Sequence, residues 1–109
     1  MWGICHDWAE ENNNIFQKAI EYEPDPDGET ANLLQPVKDA KVPIKNIMTP
    51  DKPPAFVYGD LVSPTNHPDM IGKIYRIQWH YKNNSYNYYI TVNDRKKSKR
   101  YYEEDLIKR

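Results

Sequence analysis

The stretch that most restricts what this chain can fold into runs from Tyr75 to Lys82. Tyr75, Ile77, Trp79 and Tyr81 alternate there with Arg76, Gln78, His80 and Lys82. Successive side chains of a β-strand point to opposite faces, so this pattern builds a strand with one face in a core and the other in water. Asn83-Asn84-Ser85 follows, and residues of these types tolerate the backbone angles of a tight turn. Tyr86 to Val92 then returns with Tyr88, Ile90 and Val92 on one face and Tyr89 and Thr91 on the other. A hairpin is expected across 75–92. Gly72, just ahead of it, is expected to mark a bulge or bend.

A second alternation of this quality is not found in the rest of the 109 residues. The length suits one small core. Nine tyrosines supply large rings with a hydroxyl that can face water or a partner, which suits a thin-cored β domain better than a leucine-rich bundle. Cys5 is the single cysteine, so no internal disulfide forms. No apolar run has membrane-spanning length, and the N-terminus lacks the charged-then-apolar order of a secretory signal. A soluble cytoplasmic protein without a membrane partner is the expectation. Ten asparagines among many Lys, Ile and Tyr fit an AT-rich bacterial or phage genome.

The charge is divided. Residues 1–55 hold five Lys or Arg against ten Asp or Glu, and residues 56–109 hold ten against six. The division suits either attraction between the two halves within one fold or an acidic partner met by the back half alone.

The front half reads as an extension, 1–55, packed on a barrel at 56–109. Met1 to His6 is apolar enough for an edge strand. Asp7-Trp8-Ala9-Glu10 fits a capping box, and Phe16, Ala19 and Ile20 fall on one helical face, so a helix over about 8–22 is expected. Glu23-Pro24-Asp25-Pro26-Asp27-Gly28 ends it as a solvated turn. Three carboxylates sit there, but Gly28 is at the wrong position for a calcium-binding loop. Thr30 caps a short helix over Ala31 to Gln35, stopped by Pro36. Thr49-Pro50-Asp51-Lys52-Pro53-Pro54 is a proline-rich arm.

From Phe56 onward the order is Tyr58-Gly59-Asp60-Leu61-Val62, Gly72-Lys73-Ile74, the hairpin, Arg100-Tyr101-Tyr102, and a carboxylate-rich turn Glu103-Glu104-Asp105 ending in Leu106. This resembles an SH3-like small antiparallel β-barrel of the KOW and Tudor kind, in an uncharacterised bacterial family. The resemblance covers residues 56–109. It implies a fold and leaves function to the surface residues. The fold class expected for the whole chain is therefore α+β: mostly β, with a helical N-terminal extension.

Three groups of residues are candidates for chemistry. The face opposite the core, with Arg76, His80 and Tyr89, suits a protein or peptide partner, since Tyr and Arg dominate interface hot spots. The basic turn Arg95, Lys96, Lys97, Lys99 and Arg100, beside Tyr101, suits phosphates with a ring stacking on a base. A solvated hairpin tip that discourages edge association is the plainer account of the same residues. Cys5 and the dispersed His6, His67 and His80 lack the paired spacing of a zinc site, so no metal and no cofactor is expected. No nucleophile–base or acid–base motif stands out, so an enzyme is not expected. The reading is an interaction module that binds a protein or peptide through a tyrosine-rich barrel face, with nucleic-acid binding through 95–100 as the alternative.

Overall fold

The computed structural model describes residues 1–5 and 17–109. Their regular structure is almost wholly β-strand, and they form two compact units, 1–53 and 54–109. The expected α+β class with a helical N-terminal extension is corrected. Residues 19–24, the end of the expected helix 8–22, are a strand, and its first part together with the capping box lies outside the described residues. The short helix expected after Thr30 is also a strand. The physical reason is a period of two that the helical reading passed over: Ile20 and Tyr22 are buried between less buried Glu21 and Glu23, and Ala31 and Leu33 are buried between Asn32 and Leu34. A length suited to one core has accommodated two small ones.

The first unit contains β1 (Trp2–Cys5), β2 (Ala19–Pro24), β3 (Thr30–Gln35), β4 (Lys41–Pro43), a 3-10 turn (Ile44–Asn46) and β5 (Ile47–Met48). Its sheet order is β4-β3-β2-β1-β5, and every pairing is antiparallel. The core is Cys5, Ile20, Tyr22, Ala31, Leu33 and Val42, with Val37, Ala40, Ile44 and Ile47 packed at its margin. The turn between β2 and β3 holds itself together. Asp27 accepts from the Glu29 and Thr30 amides, and these bonds hold its carboxyl below the ordinary range. Asp25 pairs with Lys41 at 2.7 Å and accepts from the Thr30 hydroxyl, with the same effect. Asp25 and Asp27 thus have partners in the turn and on β4.

The second unit contains β6 (Leu61–Pro64), β7 (Gly72–His80), β8 (Ser85–Val92), β9 (Arg95–Lys96), a 3-10 turn (Glu103–Asp105) and β10 (Leu106–Lys108). Its order is β10-β6-β7-β8-β9, again antiparallel throughout. Its buried side chains include Val62, Ile74, Ile77, Trp79, Tyr88, Ile90, Tyr101 and Leu106. Tyr88 and Tyr101 exchange two backbone hydrogen bonds, of 2.7 and 2.9 Å, which tie the chain after β9 to the middle of β8. Asp105 accepts from the Tyr102 amide and closes the 3-10 turn that sends β10 back to β6.

Two backbone positions show how local sequence fixes this sheet. Gly72 pairs in register with Val62 and is buried, and a Cβ there would lie 2.7 Å from Ile90 Cδ1 and 3.0 Å from the Thr91 carbonyl oxygen. The glycine allows a close approach, and the bulge expected at Gly72 lies instead at Tyr75, between the register pairs of Ile74 and Arg76. Asn93 and Asp94, both at positive φ, form the two-residue turn from β8 into β9. Two left-handed residues are what a type I′ hairpin requires. Gly72→Ala is expected to lower stability by about 1–3 kcal/mol, through forced displacement of packed neighbours. Asp94→Gly is expected to raise it by roughly 0.5–1 kcal/mol, because glycine meets positive φ without steric cost. Denaturant unfolding midpoints of the two variants check both signs.

Candidate functional site

The β7–β8 hairpin presents two faces. Ile74, Ile77 and Trp79 from β7 join Tyr88 and Ile90 from β8 in the core. Arg76, Gln78 and His80 oppose Tyr89, Asn87 and Ser85 on the other face. The structure brings Arg76 and Tyr89 together as direct cross-strand partners, with the guanidinium 4.0 Å from the Tyr89 ring centroid. At that distance a cation is attracted to the ring face and its orientation is fixed.

The bulge adds a third member. An extra residue in one strand of a pair bends the ladder and re-aims a side chain. Tyr75 is that residue. Alternation assigned it to the core face with Ile77 and Trp79; it is instead half-buried, its ring 6.3 Å from that of Tyr89 and 5.9 Å from the Arg76 guanidinium. Its hydroxyl donates to the Lys97 carbonyl at 2.9 Å, and Lys96 Nζ stands 5.4 Å from its ring centroid. Two rings and two cations thus meet on one surface, and no carboxylate pairs with either cation among the described residues.

The remaining candidates are dispersed. His80 is four positions along β7 from Arg76, about 13 Å at the usual rise per strand residue. Its Nδ1 is buried without a hydrogen-bond partner, as is the hydroxyl of its register partner Ser85. Asn87 is buried on the same face, its Oδ1 also without a partner. Arg95 and Lys96 are the edge strand β9, and the Lys97 amide donates to the Ile90 carbonyl. Lys97, Lys99 and Arg100 are exposed. Among the described residues none of these five cations forms an ion pair. Tyr101, taken as a stacking ring, is buried at 7% exposure, with Lys99 Nζ 5.1 Å from its ring centroid. Tyr101 is thus held in the core by its bridge to Tyr88, and Tyr75, half-buried, is a second ring beside the basic turn.

Residues 40–107 match the family of unknown function DUF6960. The chain belongs to that family. No curated protein and no solved structure matches it. The DUF6960 match takes in β4, β5 and the whole of β6–β9, and with them Tyr75, Arg76, Tyr89 and the basic turn. Among the described residues of this DUF6960 chain, no group of three metal-ligating side chains gathers, and no helix is long and apolar enough to cross a membrane. Cys5 is buried in the first unit.

Sequence reasoning missed Tyr75. The signal was present in Ile74 and Ile77, which are three residues apart and cannot both face a core in an unbroken strand. Keeping both inside requires one extra residue between them, and the one displaced is Tyr75.

The buried tyrosines give the site a pH limit. Burial pushes the Tyr88 and Tyr86 hydroxyls up to about 12 and that of Tyr58 higher still. The Tyr88 hydroxyl accepts from the Ala55 amide, and Tyr58 donates to the Ile77 carbonyl. The fold favours the neutral form, so this stabilisation is complete below the ordinary value of 10.0 and is lost as pH rises from there toward 12. Absorbance at 295 nm followed with circular dichroism should show these tyrosines ionising late and together with unfolding. Ionisation of all nine near 10, with the fold intact, would contradict the burial.

Proposed function

We propose that the second unit is an SH3-like small barrel used as an interaction module, binding an acidic protein or peptide partner on the surface made by Tyr75, Arg76, Tyr89 and Lys96. The single observation that carries this is the Arg76 guanidinium held 4.0 Å over Tyr89 on a paired hairpin, with no carboxylate partner among the described residues. A cation already stacked and oriented loses little freedom when it meets a carboxylate, and the flanking rings supply apolar area. The strand order, with a 3-10 turn sending the last strand back to the first, supports the SH3-like reading. Binding here needs no catalytic group and no cofactor. The reading places the protein in the cytoplasm, where the Cys5 thiol stays reduced.

Nucleic-acid binding through Arg95, Lys96, Lys97, Lys99 and Arg100 is kept as a second reading because Lys96 Nζ stands over the Tyr75 ring and the Lys97 backbone carbonyl accepts from the Tyr75 hydroxyl. The burial of Tyr101 removes the base-stacking ring first assigned to it. His80 enters neither surface.

Titration of the full chain at low ionic strength with a hexaglutamate peptide and with a ten-residue oligothymidylate separates the two. The proposal expects peptide binding weakened at least about tenfold by Arg76→Ala, the loss of one hot-spot side chain. Oligonucleotide binding that falls steeply with salt, and falls further in Lys96→Ala and Lys97→Ala, would favour the second reading. Binding of neither probe contradicts both.

A further inference from the structure

The two units share more than a strand count. In each, the first strand pairs with the second and the last, the second with the third, the third with the fourth, and a 3-10 turn precedes the last strand. We infer that the chain is a tandem duplication of one five-strand module, and that the second copy gained its candidate site by inserting Tyr75 and placing Arg76 and Tyr89 where the first copy has Glu23 and Asn32.

The registers carry this. Cys5 faces Ile47, and Pro64 faces Leu106; Ile4 faces Met48, and Ser63 faces Ile107. First and last strands therefore correspond at one spacing of 59 residues (64 minus 5, 106 minus 47). The same spacing relates the 3-10 turns Ile44–Asn46 and Glu103–Asp105, and Val42 of β4 and Tyr101, which follows β9 and bridges to β8. Trp2 faces Glu21 and Gly3 faces Ile20, as Leu61 faces Lys73 and Val62 faces Gly72. The Tyr22 amide donates to the Met1 carbonyl at 2.8 Å, and the Ile74 amide to the Asp60 carbonyl at 3.0 Å, again one spacing apart on the first strand. Val42 opposes Ala31 where Tyr101 opposes Tyr88. Burial follows the correspondence at Ile20 and Gly72, Tyr22 and Ile74, Ala31 and Tyr88, and Leu33 and Ile90. Strand order alone can recur in unrelated barrels; the two units share in addition the register of the first strand with the second and with the last, although the connection from first to second strand is longer in the first unit (Gly3 to Ile20 against Val62 to Gly72).

Between the second and third strands the correspondence isolates one residue in each copy: Leu34, extra between the pairs Glu21–Gln35 and Tyr22–Leu33, and Tyr75, extra between the pairs Ile74–Ile90 and Arg76–Tyr89. Tyr22 faces Leu33 and Ile74 faces Ile90. The next pairs are Glu23 with Asn32 and Arg76 with Tyr89, then Pro24 with Ala31 and Ile77 with Tyr88. The first copy runs Tyr22, Glu23, Pro24 without a gap, and the second has Tyr75 as an extra residue after Ile74. The charge is reversed at neighbouring positions as well: Glu21 corresponds to Lys73 and Glu23 to Arg76. The first copy's carboxylate is also occupied internally, with Gln35 donating to Glu21 at 2.9 Å. An acidic partner would thus meet a matching surface in the second copy alone, a statement that rests on the function proposed above; the duplication does not.

Removing Tyr75 from the full chain tests it without any ligand. Deleting a residue from a regular strand moves every later side chain to the other face. Deleting an inserted bulge residue restores the regular ladder. Interstrand amide contacts measured by NMR are expected to keep Ile74 opposite Ile90 and Arg76 opposite Tyr89, as Tyr22 and Glu23 oppose Leu33 and Asn32 in the first copy. A folded chain with β7 slipped by one residue overturns the inference. Should the shortened chain not fold, the reciprocal variant decides: one tyrosine inserted between Tyr22 and Glu23 must leave Glu23 opposite Asn32 in a folded chain, and its unfolding overturns the inference. Loss of hexaglutamate binding in a correctly registered Tyr75 deletion bears on the proposed function alone.

Discussion

The ladder between β7 and β8 is the constraint on which the second unit depends. Seven register pairs, from Lys73–Thr91 to His80–Ser85, hold the two longest strands among the described residues side by side. Each strand then positions a neighbour. Gly72 and Lys73 carry β6, which in turn carries β10, and Thr91 and Val92 carry β9. Tyr88 sits at the centre, fully buried, with Phe56 edge-on to its ring at 5.2 Å and Tyr101 bonded to its backbone. A thin core of this kind relies on large rings, since each removes more apolar area from water than an aliphatic side chain does.

The candidate site is a consequence of that ladder. Cross-strand pairing sets Arg76 opposite Tyr89, and the bulge brings in a second ring that strict alternation would have buried. The edge strand adds Lys96, placed by a two-residue turn whose residues both take positive φ. Side chains on rigid strands hold their geometry better than side chains on loops. The basic turn that is most conspicuous in the sequence is mostly exposed and unpaired, and only its first part touches the rings.

The hairpin was legible because its period of two extends over many residues and is bounded by turn-forming asparagines. The outward placement of Arg76 and Tyr89 followed from the same pattern. Tyr75 was not legible from alternation alone, because a bulge changes the period for a single residue. Tyr101 was misplaced because its burial depends on a bridge to Tyr88, a pairing between residues far apart in sequence that no local pattern encodes. The front half failed for a different reason. β2 and β3 have six residues each, and Ala19-Ile20 next to Tyr22 satisfies a helical face almost as well as a strand face. Short apolar runs of this length are settled by their tertiary partners, here β1 and the pairing of β2 with β3.

The proposed function depends on the stacking of Arg76 on Tyr89. Ring-current shifts of the Arg76 side-chain protons test it most directly, measured by NMR on the unaltered chain and on Tyr89→Leu. The account predicts Arg76 side-chain protons well upfield of a solvent-exposed arginine, returning toward that position when Tyr89 is replaced. Arg76 protons already at the exposed-arginine position in the unaltered chain would contradict it.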